Sequence, residues 1–214
     1  MERTFRIEKK FSWQGEITDK VAGVMRMFGL DVARLRDSPA VHRCRITLCP
    51  GDVCYITGPS GAGKSVLLRE LYKAMGRSEK IDLNNIRLPA DRSVVDCIKG
   101  SFFESLEILS KAGLNDVFCV LNQPSRLSDG QKYRFRLAKA LDSGRKVIFA
   151  DEFCSSLDRV TAAVVAYNVR KFAKQHKVIF ILAGCDNDIL PDLMPDVIVV
   201  KHLVGKTEVV YRDR

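Results

Sequence analysis

The sequence predicts an α/β fold with a mostly parallel sheet, an N-terminal antiparallel β region and a small helical lobe. One observation is a continuous unit in which an apolar run, Val53–Thr57, leads through a glycine-rich loop into residues 66–75, whose apolar side chains recur at helical spacing. The other is that strand-like runs alternate with helical patterns after this unit. Such alternation favours a parallel sheet with helices on both faces.

Length and composition indicate one globular domain, residues 1–214, with residues 87–141 forming the helical lobe within it. No apolar run approaches the ~20 residues that span a bilayer, and no signal-peptide pattern opens the chain. Seven cysteines without a C-x-x-C pair predict reduced thiols and a cytoplasmic protein. A membrane role would therefore need a separate transmembrane subunit.

The net charge of +9 predicts partners that carry phosphate: a nucleotide, a nucleic acid or anionic lipid headgroups. For any single basic cluster, a solvated face is the simpler interpretation. The clusters comprise Arg34, Arg36, Arg43 and Arg45; Lys132, Arg134, Arg136 and Lys139; and Arg170, Lys171, Lys174 and Lys177.

The N-terminal region predicts two strands around a helix. Alternating apolar residues predict a strand over 5–13, and a second strand is predicted over 41–48, before a turn at 50–52. Thr18 is the predicted N-cap of a helix over 19–28, which Gly29 ends. Its apolar stripe comprises Val21, Val24, Met25 and Phe28.

The glycine-rich loop matches G-x-x-x-x-G-K-[ST] and lies between the predicted strand and a helix that Gly76 is expected to close. Its glycines let backbone N–H groups surround phosphate oxygens, and the helix N-terminus adds partial positive charge. Lys64 is expected to reach the β- and γ-phosphates, and the Ser65 hydroxyl to bind Mg²⁺. The chain is therefore predicted to bind a nucleoside triphosphate. The predicted binding residues are Gly58, Pro59, Ser60, Gly61, Ala62, Gly63, Lys64, Ser65 and Val66.

The middle of the chain predicts the helical lobe. Residues 87–126 have a helical pattern, with Ser93 or Ser101 as the cap and Gly113 as the end. Its predicted apolar face comprises Phe102, Phe103, Leu106 and Leu109. Ser128 and Gly130 then open a second helix over 132–141, and its positive N-terminus predicts a second anion site.

Two carboxylates follow the predicted strand Val147–Ala150, at the sheet edge where ligands bind. Asp151 is placed to hold Mg²⁺, and Glu152 to orient and deprotonate an attacking water. Taken alone, the pair could also mark the start of a helix. A helix over 161–173 and strands over 178–183, 197–200 and 208–211 complete the prediction.

Four motifs in this order resemble the nucleotide-binding domain of the ATP-binding-cassette (ABC) superfamily, a branch of the P-loop NTPases. Residues 58–65 match Walker A, residues 127–131 (LSDGQ) match the family signature, residues 147–152 match Walker B, and residues 155–158 (SSLD) match the D-loop. The signature separates this family from other phosphate-loop NTPases.

The resemblance implies an ATP hydrolase with ATP and Mg²⁺ as cofactors and a head-to-tail dimer, homomeric or heteromeric, closed by nucleotide. Lys64 and Glu152 would be catalytic, and Ser65 and Asp151 would bind the metal. Ser128, Gly130 and Gln131 would contact the nucleotide of the partner, and Asp158 would contact the opposing chain. The effector protein that such a cycle drives is not implied.

Several positions depart from the family pattern. The usual histidine after the strand that follows Walker B is replaced by Cys185 or Asp186, and the usual glutamine upstream of the signature is missing from its expected stretch. Phe153 stands where a proline usually follows the glutamate, and Asp129 where the signature commonly has glycine. These departures predict slow hydrolysis.

An aromatic residue upstream of Walker A usually stacks on adenine in this family. Phe28 is the candidate, with Phe11 and Trp13 as weaker ones, although core packing of Phe28 is the preferred alternative.

Three functions remain open from the sequence. The first is a stand-alone ABC-type ATPase whose partner is a protein or a nucleic acid. The second is the ATP-binding subunit of a membrane ABC transporter, and the third is a nucleotide-gated binding module with negligible turnover.

Overall fold

A computed structural model describes residues 2–11, 15–31, 40–203 and 207–213. Its N-terminal part is an antiparallel pair of strands, β1 (Arg3–Phe11) and β2 (Ala40–Leu48), paired from Arg3 with Leu48 to Phe11 with Ala40. Helix α1 (Asp19–Met27) lies between them in sequence. The predicted N-terminal antiparallel region is confirmed.

The central sheet has six strands in the order β4-β5-β6-β3-β7-β8. The first five are mutually parallel, and β8 pairs antiparallel with β7. The mostly parallel sheet is therefore confirmed. Its strands are β3 (Val53–Thr57), β4 (Lys80–Asp82), β5 (Val147–Ala150), β6 (Ile179–Ala183), β7 (Val197–Lys201) and β8 (Thr207–Tyr211).

Helices cover both faces of this sheet. They are α2 (Lys64–Lys73), α3 (Phe102–Lys111), α4 (Val117–Leu121), α5 (Asp129–Asp142), α6 (Arg159–His176) and α7 (Leu190–Leu193). Short 3₁₀ turns occupy Leu83–Asn85, Val95–Cys97 and Pro124–Arg126. Within the described ranges, no helix combines the length and the apolar character needed to cross a membrane.

Strand β3 shows how the two faces divide the core. Its five residues are all buried, with Tyr55 packing in the cluster that contains the helical lobe and α6. Ile56 packs in the other cluster, with α2 and the β1–β2 pair. Alternate residues of a strand point to opposite faces, so a strand covered on both sides must be apolar throughout.

The predicted helical region 87–126 is broken into shorter elements. Ser101 forms a capping box with Glu104 at the start of α3, and Gly113, with φ +82°, follows its end, both as predicted. The predicted apolar face is wrong in part. Leu109 is fully buried, but Phe102 and Phe103 are 64% and 80% exposed, because the face of α3 that packs on the core carries Ser105 and Leu109 instead.

Helix α2 stops before the predicted Gly76. The ammonium group of Lys80, at the start of β4, donates to the carbonyls of Tyr72 and Met75. These bonds satisfy the last turn of the helix without a left-handed glycine. The end of the helix is thus stabilised by a contact from the next strand as well as by the local N–H groups of Ala74 and Met75.

Helix α1 has the predicted ends but not the predicted packing. The Thr18 side chain caps Val21 N–H, and Gly29 takes a left-handed conformation with φ +62°. Met25 is buried, whereas Phe28 is 69% exposed, so core packing of Phe28 is wrong. Trp13, Arg34 and Arg36 lie outside the described residues.

Candidate functional site

The phosphate loop joins the end of β3 to the start of α2. Gly58, with φ +142°, lies so close to the end of β7 that an added Cβ would be 2.2 Å from the carbonyl oxygen of Lys201. Only glycine fits there. Lys64 Nζ bends back and donates to the carbonyls of Gly58 at 2.8 Å and Pro59 at 2.9 Å. The lysine side chain is thus held against the first two residues of the loop.

Asp151 and Glu152 follow directly after the carboxyl end of the fully buried strand β5. Asp151 Oδ1 accepts the Glu152 N–H at 3.1 Å, and Glu152 itself is exposed with φ +50°. A non-glycine residue in this left-handed region is strained, and such residues concentrate at functional sites. These residues form a turn and not the start of a helix.

The phosphate loop and the two carboxylates line one cleft of about 670 Å³. The loop side contributes Ser60, Gly61, Gly63, Lys64, Ser65 and Val66; the facing side contributes Asp151, Glu152, Phe153, Cys154, Ser155, Leu157, Gly184, Cys185 and Asp186. It lies at the carboxyl edge of parallel strands, where ligands bind in open α/β sheets. A lysine, a hydroxyl and two carboxylates converge on it.

The signature segment lies outside this cleft, at the first turn of α5. Ser128 and Gln131 form a capping box, in which Ser128 Oγ accepts the Gln131 N–H and Gln131 Oε1 accepts the Ser128 N–H. Gly130 lies against the D-loop, where an added Cβ would be 3.3 Å from the Ser156 carbonyl oxygen. The Asp129 side chain is 96% exposed, so its carboxylate points outward. Ser128 and Gly130 therefore present an open helix start.

The fold matches solved ABC structures over 79% to 97% of the chain. A dimeric post-hydrolysis state of the ATP-binding cassette MJ0796, bound to ADP and Pi, aligns with a TM-score of 0.65 and 17% identity, covering 97% of this chain and 98% of that one. CbiO1 of Clostridium perfringens, part of the ABC transporter complex cbiONQ, aligns with a TM-score of 0.61 and 20% identity, covering 79% and 80%. At these identities, the match establishes the fold.

Curated relatives agree with that fold. Methionine import ATP-binding protein MetN 2 of Pseudomonas entomophila is 27% identical over 192 residues, covering 72% of this chain and 57% of that protein. MetN 1 of Oenococcus oeni is 27% identical over 198 residues, covering 76% and 56%. The chain thus spans little more than half the length of these relatives. No protein-family model matches it.

The chain is similar in sequence to ATP-binding proteins of ABC transporters and has the fold of an ABC-type ATP-binding domain. Its P-loop core, antiparallel β region and helical lobe are those of the fold class predicted from the sequence.

The loop after β6 lacks the histidine that the ABC resemblance leads one to expect, and other side chains shape it. Tyr55 Oη donates to the Asp186 carbonyl at 2.6 Å, and Thr57 Oγ1 donates to Asn187 Oδ1 at 2.8 Å. The Asp186 carboxylate accepts the Asp188 N–H at 2.8 Å. One oxygen of Asp186 is therefore already used to shape its own loop. Cys185 is exposed and lines the cleft with Asp186.

Phe153 explains the missing proline. Its N–H donates to the carbonyl of Ala183 at 2.8 Å and ties the turn after β5 to the end of β6. A proline has no N–H and could not make this bond. The Phe153 ring is buried, which adds packing on the same side.

Asn84, in the 3₁₀ turn after β4, is a residue that the sequence analysis missed. Its Oδ1 accepts the Asp151 N–H at 2.9 Å, and its Nδ2 donates to the Asp151 carbonyl at 3.1 Å. This two-point bond holds the backbone of Asp151. The position follows the strand next to Walker B, and a search for glutamine alone passes over it.

Phe28 is not among the residues that line the cleft. Phe11 ends β1, and Trp13 is not described. The adenine contact therefore stays a prediction for Phe28.

The basic cluster on α5 serves the fold. Arg134 donates to the Gly113 carbonyl at 2.6 Å, Arg136 to the Ile86 carbonyl at 3.4 Å, and Lys139 to the Cys97 carbonyl at 2.5 Å. Arg170 and Lys174 on α6 pair with Asp196. These side chains satisfy loop carbonyls and a carboxylate, so much of the positive charge is engaged within the domain.

Proposed function

We propose that this domain binds MgATP, hydrolyses it and uses the cycle to drive a partner. The observation that carries the proposal is the convergence of Lys64 and Ser65 with Asp151 and Glu152 on one cleft. Loop, hydroxyl and carboxylates are the parts that phosphoryl transfer requires, since its catalysis rests on positioning and on charge stabilisation.

Each residue has a proposed role in that reaction. Lys64 leaves the loop carbonyls and binds the β- and γ-phosphates. Ser65 and Asp151 offer the hard oxygen ligands that Mg²⁺ prefers, and the metal, when bound, neutralises developing phosphate charge. Glu152 accepts a proton from the water that attacks the γ-phosphorus while its bond to the ADP oxygen breaks.

A paired substitution tests the catalytic assignment. Glu152→Gln is expected to bind MgATP as tightly as the wild type but to release phosphate at least ~100-fold more slowly, because the amide accepts no proton. Glu16→Gln, an exposed carboxylate away from the cleft, is the control. Equal phosphate release by wild type and Glu152→Gln would leave a nucleotide-gated binding module. Absence of MgATP uptake in calorimetry would refute the whole proposal.

The proposed assembly is a head-to-tail dimer in which Ser128, Gly130 and Gln131 complete the site of the partner. The N-terminus of α5 supports it, because the capping box engages the Gln131 N–H while the N–H groups of Asp129 and Gly130, at the first two positions of the helix, have no acceptor in the helix itself. Light scattering should show Glu152→Gln doubling its mass on addition of MgATP. Adding Ser128→Arg should abolish the doubling and leave nucleotide uptake intact. A protein that stays monomeric with bound MgATP would exclude this assembly.

A second candidate is the ATP-binding subunit of a membrane transporter, as the names of the MetN relatives indicate for those proteins. The helical lobe supports it with exposed apolar residues on one side of α4, where Val117, Phe118 and Leu121 are 65%, 79% and 65% exposed. We infer that these residues meet a transmembrane subunit.

Capture from detergent-solubilised membranes tests that candidate. Tagged wild-type protein should retain a transmembrane protein that Phe118→Ser loses, while both hydrolyse MgATP at the same rate. Val160→Ser, at an exposed apolar residue on α6, is the matched control. If neither protein retains one, the stand-alone ATPase is favoured. All seven cysteines lie in the described residues and none forms a disulfide bond, which favours a reducing compartment such as the cytoplasm in either case.

A further inference from the structure

Residues 151–157 form the segment that carries Glu152. Its backbone is strained and is held by contacts with other parts of the fold. Glu152 and Cys154 both have left-handed backbones, with φ of +50° and +63°. Non-glycine residues adopt such values only where their surroundings impose them. Within the segment, the Ser155 N–H donates to the Glu152 carbonyl and the Leu157 N–H to the Cys154 carbonyl, both at 3.0 Å.

Supports from outside the segment come from three directions. Asn84 holds Asp151, and the Ala183 carbonyl holds the Phe153 N–H, as described above. The third comes from the signature helix. Tyr133, on α5, accepts the Cys154 N–H on its hydroxyl at 3.0 Å, in a buried environment.

This third bond is well suited to holding backbone. Tyr133 is 7% exposed and Cys154 is 5% exposed, so water has little access to replace the bond. Burial also raises the pKa of Tyr133 well above its ordinary value, so the hydroxyl stays neutral. A buried N–H that loses its acceptor is costly.

Helix α5 touches the same segment again near its N-terminus. Gly130 lies against Ser156 and Leu157, with 3.5 Å between an added Cβ and Leu157 Cδ2. Residues 130 and 133 are three apart and therefore lie on one face of the helix. This face of α5 therefore contacts the segment at two points, Gly130 and Tyr133.

We propose that Tyr133 is a positioning residue through which the signature helix fixes the backbone that carries Glu152. This inference rests on the proposed function, since Glu152 is there the general base. It adds a link between helix α5, which begins with the signature segment, and the backbone of Glu152. Any displacement of α5, including one caused by a triphosphate bound at Ser128, is passed to the glutamate of the same chain.

The test uses Tyr133→Phe in the full chain, with Tyr167→Phe, a half-exposed tyrosine on α6, as control. The variant keeps the ring and removes only the acceptor. We expect its Kd for MgATP to stay within about twofold of wild type and its kcat to fall about tenfold or more, because misplaced catalytic groups reduce rate and not binding. Amide hydrogen exchange over residues 152–157 should become faster.

The outcomes separate the two proposals. A kcat equal to that of the wild type, or a parallel loss of kcat and MgATP affinity, would overturn the role of Tyr133. Wild-type protein that does not hydrolyse MgATP would refute the proposed function instead. Exchange of the Cys154 amide in the wild type needs no variant. If this amide exchanges as fast as an open loop, the positioning role fails even should Tyr133→Phe not fold.

Discussion

Single residues determine how the two carboxylates of the cleft are positioned. The backbone of Asp151 is held by one amide side chain, that of Asn84, which both donates and accepts. Asn84 thereby fixes the main chain that carries the Asp151 carboxylate. Its contribution is therefore expected to be to metal binding.

We expect Asn84→Ala to weaken Mg²⁺ activation of ATP hydrolysis by about tenfold, since residues that orient a metal ligand commonly contribute this much. Phosphate release would be measured against Mg²⁺ concentration at saturating ATP. Asn85→Ala is the control, because the Asn85 side chain bonds Asp82 and not Asp151. An unchanged Mg²⁺ dependence would show that Asp151 is held well enough by its strand.

Helices and strands are joined at the amino edge of the sheet, opposite the cleft, by one carboxylate. Asp196, before β7, accepts the Val53 N–H at 2.9 Å and pairs with Arg170 and Lys174 of α6. Burial alone would raise the pKa of Asp196, but the hydrogen bonds from Lys174, Val53 and Arg170 outweigh it and lower this pKa. Two strands and the longest described helix thus meet at one carboxylate.

Asp196→Asn should lower the free energy of unfolding by about 2 kcal/mol at pH 7, because it leaves the largely buried Arg170 without its counter-charge, whereas the part-exposed Lys174 still has Asp52 at 3.7 Å. Since the folded pKa is depressed, the stabilisation is complete above the ordinary carboxyl pKa and is lost as pH falls through the folded value. In urea denaturation the difference between wild type and variant should therefore be constant near neutral pH and should narrow once the pH falls below the ordinary carboxyl pKa. Asp213→Asn, at an exposed carboxylate, should have the same stability as the wild type at every pH.

Local signals made some of these elements predictable, and tertiary contacts hid others. Ser101, Ser128 and Thr18 cap helices in the structure as the sequence predicts, because a cap is satisfied within one turn. The end of α2 depends on Lys80 from the next strand, and the exposure of Phe28 and Phe103 depends on what packs nearby. Neither can be inferred from neighbouring residues alone.

At the scale of the whole molecule, the order of the four motifs was enough to predict the fold, because each motif is tied to a strand end or a helix start. The contribution of the C-terminal strands to the site was not predictable. Gly58 lies on Lys201, whose buried ammonium donates to Thr207 of β8 at 2.8 Å. The floor of the phosphate loop is thus built by residues near the end of the described chain.

Gly58→Ala is expected to lower MgATP affinity by at least about 100-fold, because its methyl group would have to displace the backbone of β7, which is packed on both sides. Calorimetry would measure the affinity. Gly61→Ala probes the alternative, since a Cβ there meets no atom within 4 Å and only its positive φ opposes the change. A milder effect of Gly58→Ala than of Gly61→Ala would show that β7 yields.

The distribution of thiols offers a direct handle on the cleft. Five cysteines are buried, Cys49 is half-buried, and Cys185 is exposed beside the phosphate loop. A limiting amount of a fluorescent maleimide should therefore couple first at Cys185, without any engineered label. Nucleotide would then slow the labelling, so a stopped-flow trace could follow occupancy of the unmodified protein in real time.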